Sequence, residues 1–234
     1  MSLQRLVLFV EGQGDFEAVP VLVKKILTEI SAWEYLTLDY ACFRVGGVDN
    51  LTGRSAHKRT DWLKAAVKRQ NVGGILLVLD GDRDYVLADE SSEKEAFCAA
   101  KVARQLAERA RETGAGSEFS VACVFARQEF ESWLLAGIDS LRGNQLPDGR
   151  PGIKAEAPSL ERDTNSHPRD AKKWLAKQMP HGYKPSTDQH ALTELVSLDS
   201  IRERNPRSFQ RFQHAISELC EAIRRGRHMV SPAS

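Results

Sequence analysis

Three carboxylates at alternate positions, Asp80, Asp82 and Asp84, follow the aliphatic run Ile75-Leu-Leu-Val-Leu79. Where a strand frays into a loop, side chains two residues apart can share a direction, so Asp80 and Asp82 can share a cation. Two close carboxylates resist joint ionisation unless a metal or a base neutralises them. The same residues also suit a turn, because Asp and Gly are common turn formers. Glu11 and Asp15 make a second acidic pair, placed after the apolar run Leu6-Val-Leu-Phe-Val10. There Glu11 can bridge metals or act as a general base while Asp15 ligates from the next turn. The competing reading has Asp15 capping a helix and compensating its dipole. Gly12-Gln-Gly14 lacks the Lys-Ser/Thr and the third glycine of a phosphate loop.

These acids need elements to hold them. Residues 5–11 and the run opened by Gly73-Gly74 read as strands buried on both faces. Between them the pattern gives a helix over 15–30, a strand over 36–45, a Gly/Asn/Thr loop and a helix over about 58–70. An acidic linker over 88–93 then leads to a helix over 93–112 and a strand over 119–126. The order β-α-β-α-β-α-β predicts an α/β domain with a largely parallel sheet. Ligands of such sheets bind beyond the carboxyl ends of the strands, and Glu11 and Asp80 both fall there. The segment 127–136 passes from strand into helix. Residues 140–168, rich in Gly and Pro, read as a long ordered loop or linker. Helices follow over about 170–178, 188–196 and 206–225, and the tail from Gly226 is expected to fray. The expected division is an α/β domain over 1–140 and a basic extension over 141–234, loop-rich and then helical, packed on it.

Composition sets the bounds. A chain of 234 residues with 41% hydrophobic and 28% charged residues excludes a disordered or fibrous class. No apolar run approaches the roughly 20 residues that span a bilayer, and the N-terminus has no signal-peptide architecture, so a cytoplasmic protein with no membrane partner is expected. Cys42, Cys98, Cys123 and Cys220 form no CxxC pair, which argues against zinc and against a disulfide framework. The six histidines are scattered without ligand spacing. Net charge is +1, yet residues 140–234 carry 16 Lys+Arg against 11 Asp+Glu. An acidic first half and a basic second half suit a metal site beside a polyanion surface, or two halves that attract one another. Arg54, Lys58, Arg59, Lys172 and Lys173 are the candidate phosphate-facing residues, able to position a backbone without reading bases.

Val10-Glu11-Gly12 followed by Leu79-Asp80-Gly81-Asp82 resembles the TOPRIM fold of topoisomerases, primases and OLD-type nucleases. Glu-Gly-x-x-Asp is closer to the OLD branch, whose second acid on the first helix corresponds to Asp15. Arg127-Gln-Glu-Phe-Glu-Ser-Trp-Leu-Leu135 with Tyr183-Lys184 is similar to the TOPRIM-like domain-of-unknown-function 4276 family, whose genes often sit beside ATPase genes. The resemblance spans roughly residues 5–190. It implies a TOPRIM-like (Rossmann-like) α/β fold with a C-terminal helical extension. It also implies a divalent-metal-dependent nuclease with two Mg²⁺ or Mn²⁺ ions, acting in anti-phage or DNA-repair systems. Glu129 and Glu131 would complete the metal shell of Glu11, Asp15, Asp80 and Asp82, although the two diverge if the helix has already begun. Lys184 would stabilise charge on phosphate beside Glu11, and Trp133 is assigned to the core. The partner is nucleic acid, DNA ahead of RNA, with an ABC-type or AAA ATPase as protein partner. Two alternatives remain: a catalytically silent module docking on that ATPase, and a metal-dependent phosphatase or phosphotransferase on small substrates.

Overall fold

The computed structural model describes residues 2–88, 93–164 and 167–233. Strand β1 (Gln4–Val10) leads into helix α1 (Gln13–Glu29), strand β2 (Leu36–Arg44) and helix α2 (Ala56–Val67). Strand β3 (Val72–Asp80) is followed by two short strands, β4 (Tyr85–Leu87) and β5 (Lys94–Ala96), then helix α3 (Ala99–Arg109) and strand β6 (Ser120–Ala126). The chain closes with helices α4 (Glu131–Ala136), α5 (Ala171–Gln178), α6 (His190–Leu195), α7 (Leu198–Arg204) and α8 (Arg207–Arg224), and strand β7 (Val230–Ser231). The main sheet has the order β2-β1-β3-β6-β7, with every pair parallel. A parallel sheet needs both faces covered, and alternation along the strands divides the side chains accordingly. Leu6, Leu8, Val10, Leu76, Val78, Ala122 and Val124 face α1 and the C-terminal helices. Val7, Phe9, Ile75, Leu77, Leu79, Val121 and Cys123 face α2 and α3.

The expected α/β order holds, with three corrections. Residues 94–96 form β5, antiparallel to β4, and do not open the following helix. The pairing is carried by buried Val86 and by the Lys94 ammonium over the Tyr85 ring at 4.1 Å. Within the expected acidic linker, residues 89–92 lie outside the described ones. The tail does not simply fray: Val121 and Ala122 pair with Val230 and Ser231, and Arg211 and Glu218 bond the Ser231 hydroxyl. Residues 198–204, not anticipated as a helix, form α7, with the Ser197 hydroxyl accepting from Ser200 N–H at its start.

The Gly/Pro-rich stretch is an ordered part of the core. Leu141, Leu146, Ile153 and Ala157 are buried against the C-terminal helices, and bridges join Arg142 to Ile153 and Gln145 to Pro151. Cys42, Cys123 and Cys220 are free and buried. Burial pushes the Cys42 and Cys220 thiols up to about 12, which removes them as nucleophiles at neutral pH. Among the described residues no helix is long and apolar enough to cross a membrane.

Candidate functional site

Three adjacent parallel strands, β1, β3 and β6, end side by side, and each delivers acid. Glu11 follows β1 directly, Asp80 closes β3, and Glu129 and Glu131 follow β6. The ends are clamped by hydrogen bonds between neighbours. The Asp80 backbone N–H donates to Glu11 Oε2 (3.1 Å), and Asp80 Oδ1 accepts from the Phe130 N–H (2.9 Å). Gly81 donates to the Ala126 carbonyl (3.0 Å), and a Cβ there would sit 2.7 Å from that same oxygen. The Asp-Gly step is therefore more than a turn former: it lets β3 and β6 stay together where the carboxylates emerge.

Glu129 and Glu131 do not diverge. Gln128 takes φ +63, a left-handed turn between β6 and α4, so Glu129 precedes the helix that Glu131 opens. Both turn to one ammonium. Lys172 Nζ lies 2.8 Å from Glu129 Oε2, 3.6 Å from Glu131 Oε2 and 4.0 Å from Asp80 Oδ2, while its backbone N–H donates to Glu129 Oε1. Burial lowers the basicity of this lysine, but the carboxylates, Glu131 foremost, outweigh it and hold Lys172 firmly protonated. Tyr183 supports the arrangement by donating its hydroxyl to Glu131 Oε1 (2.8 Å).

Asp15 fills its expected capping role and also joins the site's edge. Its Oδ2 accepts from the Gly12 N–H (2.9 Å) at the start of α1, and its Oδ1 accepts from Gln189 Nε2 (2.7 Å). Gln189 belongs to a π-helical turn, Pro185–Gln189, that packs on α1. The packing leaves no room at Gly14, where a Cβ would fall 2.0 Å from Gln189 Oε1 and 2.9 Å from the Pro185 carbonyl. Gly14→Ala is expected to cost about 1–3 kcal/mol by overpacking and to free Asp15 from Gln189. A urea melt and limited proteolysis of residues 180–190 would check this. An unchanged midpoint with unchanged protection would contradict it.

The other expected site residues are placed as follows. Asp82 is exposed beyond the end of β3. Lys184 is exposed and extended, with its N–H donating to buried Asp188 (2.8 Å). Successive side chains of an extended segment face opposite ways, so Tyr183 turns in to Glu131 and Lys184 turns out. Arg54 and Lys173 are exposed. Lys58 is half-buried and bonds Asn50, whereas Arg59 is buried and donates to the Leu51 carbonyl (2.7 Å), which takes it off any phosphate-facing surface. Lys172 belongs to the carboxylate cluster. Sequence reasoning missed that role, and it also missed Gln189.

The cluster holds more negative charge than it is comfortable with. Burial, then the charges of Asp15, Glu11 and Glu131, push the Asp80 carboxyl well above the ordinary range. Burial likewise raises Glu11 against the hydrogen bond from Asp80. It also lifts Glu131 to about 7, with Lys172 pulling the other way. A carboxyl raised from 4.5 to about 7 in the native state binds more protons folded than unfolded within that window. The contribution of Glu131 to stability should therefore fall as pH rises from about 4.5 to about 7, then level off. Glu131→Gln keeps the acceptor for Tyr183 and removes the titration. Across that window the wild type should lose on the order of 3 kcal/mol relative to the variant, read from urea melts. Parallel curves would contradict the buried-carboxyl assignment.

All of these donors are carboxylate oxygens, which suits hard divalent cations and not zinc. Among the described residues no three Asp, Glu, His or Cys side chains are set to cage an ion in this conformation, and the cation at the centre of the acids is Lys172 Nζ. The sequence model of a family described as Domain of unknown function (DUF4276) matches residues 10–217. No curated protein and no solved structure matches the chain. With nearly its whole length covered, the chain belongs to the DUF4276 family.

Proposed function

We propose that this protein is a TOPRIM-like, divalent-metal-dependent phosphodiesterase acting on nucleic acid. One observation carries the reading: Glu11, Asp80, Glu129 and Glu131 converge from three neighbouring strand ends, where burial first, and then the charges of Asp15, Glu11 and Glu131, raise Asp80 well above its ordinary range. Such clustering is costly unless cations balance it. Glu11, Asp15, Asp80, Glu129 and Glu131 would hold Mg²⁺ or Mn²⁺, with exposed Asp82 reaching in from the loop. Bound there, a pair of ions supplies Lewis-acid charge and a water of lowered pKa for in-line displacement at phosphorus.

The chain's own groups do the rest. Lys172 places a fixed positive charge among the acids, where charge develops on phosphate. Tyr183 fixes the direction of Glu131, and Gln189 with the Gly12 N–H fixes Asp15. Lys184, which faces outward, can meet a substrate only from the rim. The test is incubation of single- and double-stranded DNA and RNA with the protein and Mg²⁺ or Mn²⁺, against an EDTA control. Metal-dependent cleavage is expected.

Lys172 itself favours a second reading. An ammonium that already pairs with Glu129 and Glu131 neutralises part of the cluster without any metal. On that reading the domain is a silent module docking on an ATPase partner, and the assay would show no cleavage with any metal.

A further inference from the structure

The turn of chain before Glu129 borders a cavity of charge opposite to that of the carboxylates. Its volume is 390 Å³ and its lining includes Arg127, Arg162, Arg204 and Arg207 against a single carboxylate, Asp163. That volume falls within the range of small-ligand sites. Arg204 is the built wall: it is buried, donates to the Ala136 and Leu160 carbonyls, and pairs with Asp139, while its buried Nε–H has no partner among the described residues. The other three guanidinium groups are exposed and form no ion pair among the described residues. Helix α8 also opens here, after Pro206 and with no side-chain cap, so the positive end of an 18-residue helix dipole adds to the field. His167 senses that field: burial and then the charges of Arg204 and Arg127 hold it below its usual range.

The cavity is joined to the carboxylate site by the turn at Gln128. Arg127 lines the cavity and Glu129 binds Lys172, so Gln128 alone stands in the chain between a residue of the cavity and a residue of the carboxylate cluster. We propose that Arg127, Arg162, Arg204 and Arg207 form a phosphate-binding subsite, occupied by a backbone phosphate flanking the one held at the carboxylates. The phosphate chemistry follows from the three exposed planar guanidinium groups of Arg127, Arg162 and Arg207, with the charge of buried Arg204 fixed behind them. Its assignment to a polynucleotide rests on the phosphodiesterase reading above.

Arg162 and Arg207 are exposed, so Arg162→Ala/Arg207→Ala should fold, with circular dichroism as the check. A fluorescent single-stranded 12-mer is titrated in EDTA against the wild type and this variant, and inorganic phosphate is titrated by calorimetry. The expected result is at least about a tenfold loss of 12-mer affinity in the arginine variant, with a shallower salt dependence by roughly 1.4 for two lost contacts. Binding is read in EDTA, without any cleavage, so the subsite stands or falls separately from the activity. Equal 12-mer affinity in wild type and arginine variant, or no 12-mer binding by either, would overturn the proposal even if the wild type cleaves. Inorganic phosphate bound by the wild type more tightly than the 12-mer and lost in the variant would overturn the backbone assignment, placing a small phosphate compound there instead.

Discussion

Asp80→Asn is expected to lower metal-dependent cleavage by at least about 10³-fold while leaving the fold intact. Loss of a metal-holding carboxylate removes several kcal/mol of transition-state charge stabilisation, and each 1.36 kcal/mol is tenfold in rate. Asn keeps the acceptor that Asp80 Oδ1 offers to the Phe130 N–H, so the clamp between β3 and the segment after β6 persists. It also removes a charge that Asp15, Glu11 and Glu131 all oppose. The melting temperature should accordingly hold or rise as activity disappears. Loss of both together would mark Asp80 as a structural group, and full activity would remove it from the site.

The largest stability effect is expected at Trp133. This residue is fully buried, with ring centroids 5.3 Å from Phe130, 5.7 Å from Phe209 and 4.8 Å from Phe212. Its Nε1–H donates to the Ser208 hydroxyl at 2.9 Å, tying α4 to the start of α8. Trp133→Ala leaves a cavity among three aromatic rings and should cost about 3–5 kcal/mol, a fall in melting temperature on the order of 10 °C for a chain of this size. Trp133→Phe should recover most of it. A fall under about 1 kcal/mol for the alanine variant would mean that the aromatic cluster does not organise this half of the core.

The sheet could be read from the sequence because its strands are continuous aliphatic runs with helical periods between them. Glu11 and Asp80 were legible for the same reason, since each ends such a run and carboxyl ends of parallel strands gather at one edge. The remainder depends on long-range packing. Lys172 lies 92 positions after Asp80, and Gln189 lies 174 after Asp15. No spacing rule connects residues that far apart. Lys172 read as a phosphate-facing charge of a basic segment together with Lys173, and Lys184 read as a site lysine from the resemblance of its motif. In the fold Lys172 joins the acids, and Tyr183 is the residue of that motif that reaches Glu131. The convergence of Glu129 and Glu131 hung on one left-handed residue, Gln128, in a segment whose pattern suggested plain helix entry. The β4–β5 pair and β7 are two- and three-residue strands, too short to carry a period.

The central claim is that the carboxylate cluster holds a divalent cation, and calorimetric titration of Mn²⁺ addresses it most directly. The wild type is compared with Asp80→Asn/Glu131→Gln, whose Phe130 and Tyr183 hydrogen bonds are preserved. Saturable Mn²⁺ binding by the wild type that the double variant loses is the predicted result. No binding by the wild type, or equal binding by both, would contradict the account and leave Lys172 as the only cation these acids were built to hold.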